Sequence, residues 1–185
     1  MQKPWVRIIE QLEVLGCLKD MALRPGASKT EIEALEQHIG VALPESLKQF
    51  LQIHDGQDGS GLIFGEHFLS VSGIREQWDT WRSIDEVDMN EDCADFMASD
   101  PKGFVKAQYC NRAWIPFTHD GGGNHLGIDF DPDDLGTVGQ VIAFGRDEDT
   151  KRLLAPTFET FVDDYIAWLG HVVWNGKYLD VAQSA

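Results

Sequence analysis

Trp114-Ile-Pro-Phe-Thr-His-Asp-Gly-Gly-Gly-Asn-His-Leu-Gly-Ile-Asp-Phe-Asp-Pro132, followed after a short linker by Gly139-Gln-Val-Ile-Ala-Phe144, is the stretch on which the fold turns. Its apolar runs read as strands at Ala113–Phe117, Leu126–Phe130 and Gln140–Phe144, joined by turn-forming Asp, Gly and Asn. Connections this short favour antiparallel pairing, because parallel neighbours need long crossovers. Asp120 stands at the glycine turn, and Asp129 and Asp131 close the second run. The same stretch is therefore a candidate catalytic loop, metal loop or demanding piece of β-architecture.

Outward from it, the period changes to helical. Trp5, Ile8, Ile9, Leu12 and Leu15 form one apolar stripe, ended by Gly16. Ser28-Lys-Thr-Glu31 has the form of a capping box, and Ile32, Leu35 and Ile39 line the helix it starts, up to Gly40. Pro44 suits the first turn of a third helix carrying Leu47, Phe50 and Leu51. Short strands are expected at Leu62–Phe64 and Phe68–Val71, and a helix over Ile74–Trp81. A last helix follows Thr157, its expected N-cap, with Phe158, Phe161, Val162, Tyr165, Ile166 and Leu169 inward. Helices first, strands next and a helix last make an α+β chain, expected as a single domain over 1–185.

The chemistry-bearing candidates are weak one by one. His119 and His125 flank Gly121-Gly122-Gly123 without a zinc-site spacing, which leaves exposed turn histidines as the plain alternative. The glycine run lacks a phosphate-loop lysine and a following helix. It is better explained by positive φ, which Asn124 also tolerates. Asp129, Asp131 and Asp133 copy the opening of a calcium loop, but Asp134 and Gln140 stand where glycine and glutamate belong. No nucleophile motif appears, so no catalytic residue, metal or cofactor is assigned.

Composition and charge exclude more than the motifs do. The 185 residues are 43% hydrophobic, enough for a substantial core. No apolar run of about 18 residues suggests a membrane span. Cys17, Cys93 and Cys110 form no C-x-x-C pair, and a reduced cytoplasmic protein is the expectation. The 31 acids against 15 bases give a net charge of −16, which repels nucleic acid and steers encounter with a basic protein. From Ser83 to Pro101 there is no Lys or Arg. Asp85, Glu86, Asp88, Glu91, Asp92 and Asp95 make the first candidate partner-binding face, with Trp78 or Trp81 as anchors. Asp129, Asp131, Asp133 and Asp134 make a rival face.

The order of motifs resembles the SMI1/KNR4 family of the SUKH superfamily. The matching elements are Leu23–Ser28, Ile32…Leu35-Glu36, Leu43-Pro44…Leu47, His54-Asp55-Gly56, Trp114-Ile115-Pro116, Asp120–Asn124, Asp129–Pro132, Gly139–Ile142 and Phe158…Phe161, spanning about 23–169. The resemblance implies helices packed around a central, largely antiparallel sheet. It makes Trp114, Pro116, Asp120, Gly121, Gly122, Gly123, Asn124, Asp129, Asp131, Pro132, Gly139 and Gln140 elements of the fold. Bacterial members are implied to be immunity proteins that neutralise toxin domains, often nucleases; fungal relatives are implied to regulate cell-wall synthesis. The chain resembles the bacterial kind. The leading expectation is therefore a cytoplasmic immunity protein whose acidic face covers a basic toxin domain. A regulatory interaction module without a toxin is the alternative.

Overall fold

The computed structural model describes residues 1–85 and 88–181, without the side chain of Asp85. The fold is α+β, with seven helices and a mainly antiparallel five-stranded sheet among the described residues. In chain order the elements are α1 (Gln2–Leu15), α2 (Leu18–Met21), α3 (Lys29–Ile39), α4 (Glu45–Ile53), β1 (His67–Phe68), α5 (Val71–Asp85), α6 (Met89–Asp92) and β2 (Ala98–Asp100). They continue as β3 (Trp114–Pro116), β4 (Thr118–His119), β5 (Asn124–Asp129), β6 (Gln140–Gly145), β7 (Thr150–Ala155), α7 (Phe158–Leu169), β8 (Val172–Trp174) and β9 (Leu179–Val181). The chain forms two compact units, one of residues 1–71 with 162–185 and one of residues 72–161.

In the first unit, Trp5, Ile8 and Leu12 are the buried stripe of α1. The Trp5 indole stacks on Phe50 of α4 at 4.3 Å and donates to the Phe50 carbonyl at 3.1 Å. Helix α3 starts as its capping box requires: the Glu31 amide donates to Ser28 Oγ, and the Ser28 amide and hydroxyl donate to the Glu31 carboxylate. Later in the unit, Tyr165 is fully buried, and its hydroxyl reaches the Leu62 carbonyl at 2.8 Å. The strand expected at Leu62–Phe64 is instead a tight turn with one isolated bridge, Ile63 to Glu66. Phe64 takes φ 51° there, incompatible with an extended run. The run expected at Phe68–Val71 ends at Phe68, because Val71 already begins α5.

The second unit is built on the sheet, in the order β2-β7-β6-β5-β3. β3, β5, β6 and β7 are antiparallel neighbours, whereas β2 runs parallel to β7. β6 is buried along its whole length and β5 from His125 onward, so neither shows the alternation of a half-exposed strand. Gly127 is what lets β5 sit so close to its neighbours. A Cβ there would lie 2.5 Å from the Phe144 ring and 2.8 Å from the Ile115 carbonyl oxygen. Against the sheet, Trp81 of α5 packs with Val105, Cys110, Trp114, Ile142 and Phe144.

Candidate functional site

The glycine turn is organised by one carboxylate. Asp120 Oδ1 accepts the amides of Gly122, Gly123 and Asn124 at 2.6, 2.9 and 2.9 Å, and Oδ2 accepts the Asn124 side-chain amide at 2.7 Å. Gly121 and Gly123 take φ of 86° and 106°, which is why glycine is needed there. Partial burial raises the Asp120 carboxyl, but the bonds from Asn124, Gly122 and Gly123 outweigh it and hold the group below its ordinary range. The carboxylate that looked free for chemistry closes its own loop.

His125 is buried, not an exposed turn histidine. Its Nδ1 lies 2.7 Å from the Thr118 carbonyl, so the neutral ring donates there and leaves Nε2 without a partner. The ring stacks on His119 at 5.0 Å and lies among Trp81 and Phe144. Burial drives its pKa down to about 4 against the pull of the Thr118 carbonyl, and His119 pushes the same way. Such a histidine is neutral at neutral pH.

The second acidic cluster divides. Asp129 is fully buried: its carboxylate accepts the Asp131 amide and the Gln140 side-chain amide, both at 2.9 Å. Burial raises its pKa although both bonds oppose. Gln140 also donates to the Phe104 carbonyl at 2.8 Å, so the pair fastens two loops to the sheet. Asp129 is therefore an internal bracket and no part of a surface. Asp131 is half-buried and pairs with Lys106 at 2.5 Å and Asn111 at 2.9 Å; the Lys106 bond is the main reason its carboxyl lies low. Asp133 is half-buried, and of the four only Asp134 is exposed. Among the described residues no three His, Cys, Asp or Glu converge as a metal site.

The first cluster stays at the surface. Asp88, Glu91, Asp92 and Asp95 are all exposed on α6 and its flanking turns. Asn90 anchors this short segment by bonding the Cys110 carbonyl and the amides of Tyr109 and Cys110. Glu86 and the Asp85 side chain lie outside the described residues. Trp78 and Trp81 are 5% and 6% exposed, and Trp78 Nε1 donates to the Arg112 carbonyl at 2.8 Å. Neither indole can anchor a partner, since both are committed to the interior.

Two features escaped the sequence reading. Phe96, within the acidic run, is 70% exposed. Its position as the one aromatic in a run dense with acids is the signal that could have found it. Lys151 is fully buried, with its amine bonded to the Glu148 carbonyl and 5.8 Å from the Tyr109 ring. Burial lowers its pKa to about 8, although Glu148 and Asp149 pull the other way.

The sequence model of the SMI1 / KNR4 family (SUKH-1) matches residues 26–164. Over 166 residues the chain is 34% identical to the cell wall biosynthesis/cell cycle regulator smi1 of Schizosaccharomyces pombe, covering 83% of this chain and 32% of that protein. It is 29% identical over 174 residues to the glucan synthesis regulatory protein of Neurospora crassa, covering 76% and 33%. With the cell wall assembly regulator SMI1 of Saccharomyces cerevisiae the identity is 25% over 203 residues, covering 81% and 40%. The chain spans about a third of the length of the first of these curated relatives. No helix among the described residues is long and apolar enough to cross a membrane.

Proposed function

Because this chain belongs to the SMI1/KNR4 family (SUKH-1), we propose that it is a regulatory protein-interaction module, acting by binding rather than by catalysis. The observation that carries this reading is that relatives aligned over 76–83% of the chain are named as regulators of cell-wall or glucan synthesis. The exposed acids Asp88, Glu91, Asp92 and Asp95 add a partner preference. A dense, unpaired negative face steers and selects a protein with a basic surface. Affinity would come from a few apolar contacts beside it, with the acids setting rate and choice.

Cross-linked affinity capture in the source cells tests this reading. A specific protein with a basic surface should be enriched over an unrelated bait of the same net charge. Equal recovery by the two baits would mean charge alone is at work, and the module reading would fail.

The net charge of −16 favours a second reading, an immunity protein that covers the basic cleft of a nuclease toxin. Co-expression with a toxin domain encoded beside the gene separates the two. Survival with a stable one-to-one complex establishes immunity; death without a complex leaves regulation.

A further inference from the structure

The five-stranded sheet has two edges of opposite character. At one, β3 is buried throughout and includes Pro116, which has no amide to offer. At the other, β2 exposes Ala98 and Asp100 and half-buries Ser99. Among the described residues its ladder partner is β7 alone, with Ala98 opposite Thr150 and Asp100 opposite Arg152. The Ala98 amide is taken by the Asp149 carbonyl at 2.9 Å. Alternation along the ladder then turns the Ser99 N–H and C=O to the open side. The strand is held extended from behind, since Ser99 Oγ donates to the Pro101 carbonyl and accepts the Val105 amide.

An apolar contact and a charge pattern accompany this edge. Phe96, two residues before β2, is 70% exposed. Asp95 precedes the strand and Asp100 ends it, and Asp147 and Asp149 are exposed on the loop that leads into β7. Of the nearby cations, Arg152 pairs with Glu148 at 2.9 Å, Arg146 approaches Asp147 at 4.0 Å, and Lys151 is buried. Exposed Lys102 is the cation next in sequence after Asp100.

We propose that β2 is a docking edge for an extended, lysine- or arginine-rich segment of a partner protein. The segment adds as a strand beside Ser99 and lays an apolar side chain on Phe96. This rests on the protein-binding reading above and names its surface and partner chemistry. An open edge invites any strand, including one from a second copy. A second copy would bring the same acids against Asp95 and Asp100, and like charges across a ladder are repelled. A basic segment meets both the open backbone groups and the negative rim, so charge selects it. Only Ser99 presents an outward pair of backbone groups, so the complex is weak and sensitive to salt.

The test titrates the isotope-labelled full chain with a capped nine-residue peptide of alternating Lys and Val, and with a Glu/Val counterpart, followed by amide NMR and hydrogen exchange. The expected result is shifts centred on residues 96–100, slower exchange at the Ser99 amide, and no response to the Glu/Val peptide. Asp95→Lys with Asp100→Lys should weaken binding by ~10-fold or more. Phe96→Ala, a neutral change at an exposed position, should weaken it by a smaller factor. The proposal is overturned if the Lys/Val peptide leaves residues 96–100 unmoved, if the Glu/Val peptide binds equally, or if neither variant matters. Sedimentation showing self-association through β2 would also overturn it, with a second copy as the occupant. A cellular partner that maps to another face removes this edge while leaving the module reading intact.

Discussion

Asp129 has no surface at all, and both of its carboxylate oxygens are occupied, by the Asp131 amide and the Gln140 side chain. Removing the carboxylate leaves two donors unsatisfied in a buried site, at about 1–3 kcal/mol for each. Asp129→Ala should therefore lower the urea midpoint strongly with little change in slope, and Asp129→Asn, which keeps one acceptor, should cost less. A loss no larger than that of an exposed acid such as Asp134 would show that the bracket is not structural. His125 makes the opposite kind of prediction. Its folded pKa of about 4 lies below the ordinary 6.5, so the unfolded chain binds the extra proton between these values. The stability it contributes is complete above about pH 6.5 and is lost as pH falls toward 4, on the order of 3 kcal/mol in all. Denaturation across that range should show a slope that His125→Phe flattens. Parallel profiles would mean that the buried ring does not control it.

At the scale of elements, α3 depends on its cap and β5 on its glycine. Ser28→Ala removes the acceptor for the Glu31 amide and should cost about 1 kcal/mol. Gly127→Ala forces a methyl between the Phe144 ring and the Ile115 carbonyl, and should cost about 1–3 kcal/mol in calorimetry. If Gly127→Ala melted unchanged, β5 would have room that the structure denies it. These two elements were also among the most legible ones: apolar spacing found α1, α3, α4, α5 and α7, and the strand–turn–strand pattern found β5 and β6. β7 was missed because T-K-R-L-L-A shows no apolar alternation, its Lys151 being buried by tertiary packing. β2 is three residues in an acidic run, too short for a period to register, and it adds one parallel pair to a sheet that is otherwise antiparallel, as expected. The site was less legible than the fold. Nothing local in Asp129-Phe-Asp131 tells that the first acid faces Gln140 inside while the second meets Lys106 outside. Trp78 and Trp81 lie beside surface acids in sequence, yet the helix turns their rings into the core.

For the molecule as a whole, the deciding quantity is where its surplus negative charge is left unpaired. Asp131 is matched by Lys106 and Asp129 is buried, so neither contributes much to the outer field. Asp88, Glu91, Asp92 and Asp95 are exposed in a stretch without a single cation, and their field reaches solvent within a screening length of about 8–10 Å at physiological salt. Steering of that kind acts on the rate of encounter more than on the lifetime of the complex. Reversing Asp88, Glu91 and Asp92 to Lys adds two charges at each position and takes the net charge from −16 to −10. The association rate with a basic partner should fall by ~10-fold at low salt, and the gap should close as salt is raised, while dissociation changes little. These side chains are exposed, so the melting temperature should fall little, the largest part of any loss coming from Asp88, whose φ of 57° suits Asp better than Lys. Equal association rates across the salt series would remove the α6 face from recognition. A rise confined to the dissociation rate would instead make these acids direct contacts of the bound state, with the partner's cations seated on them.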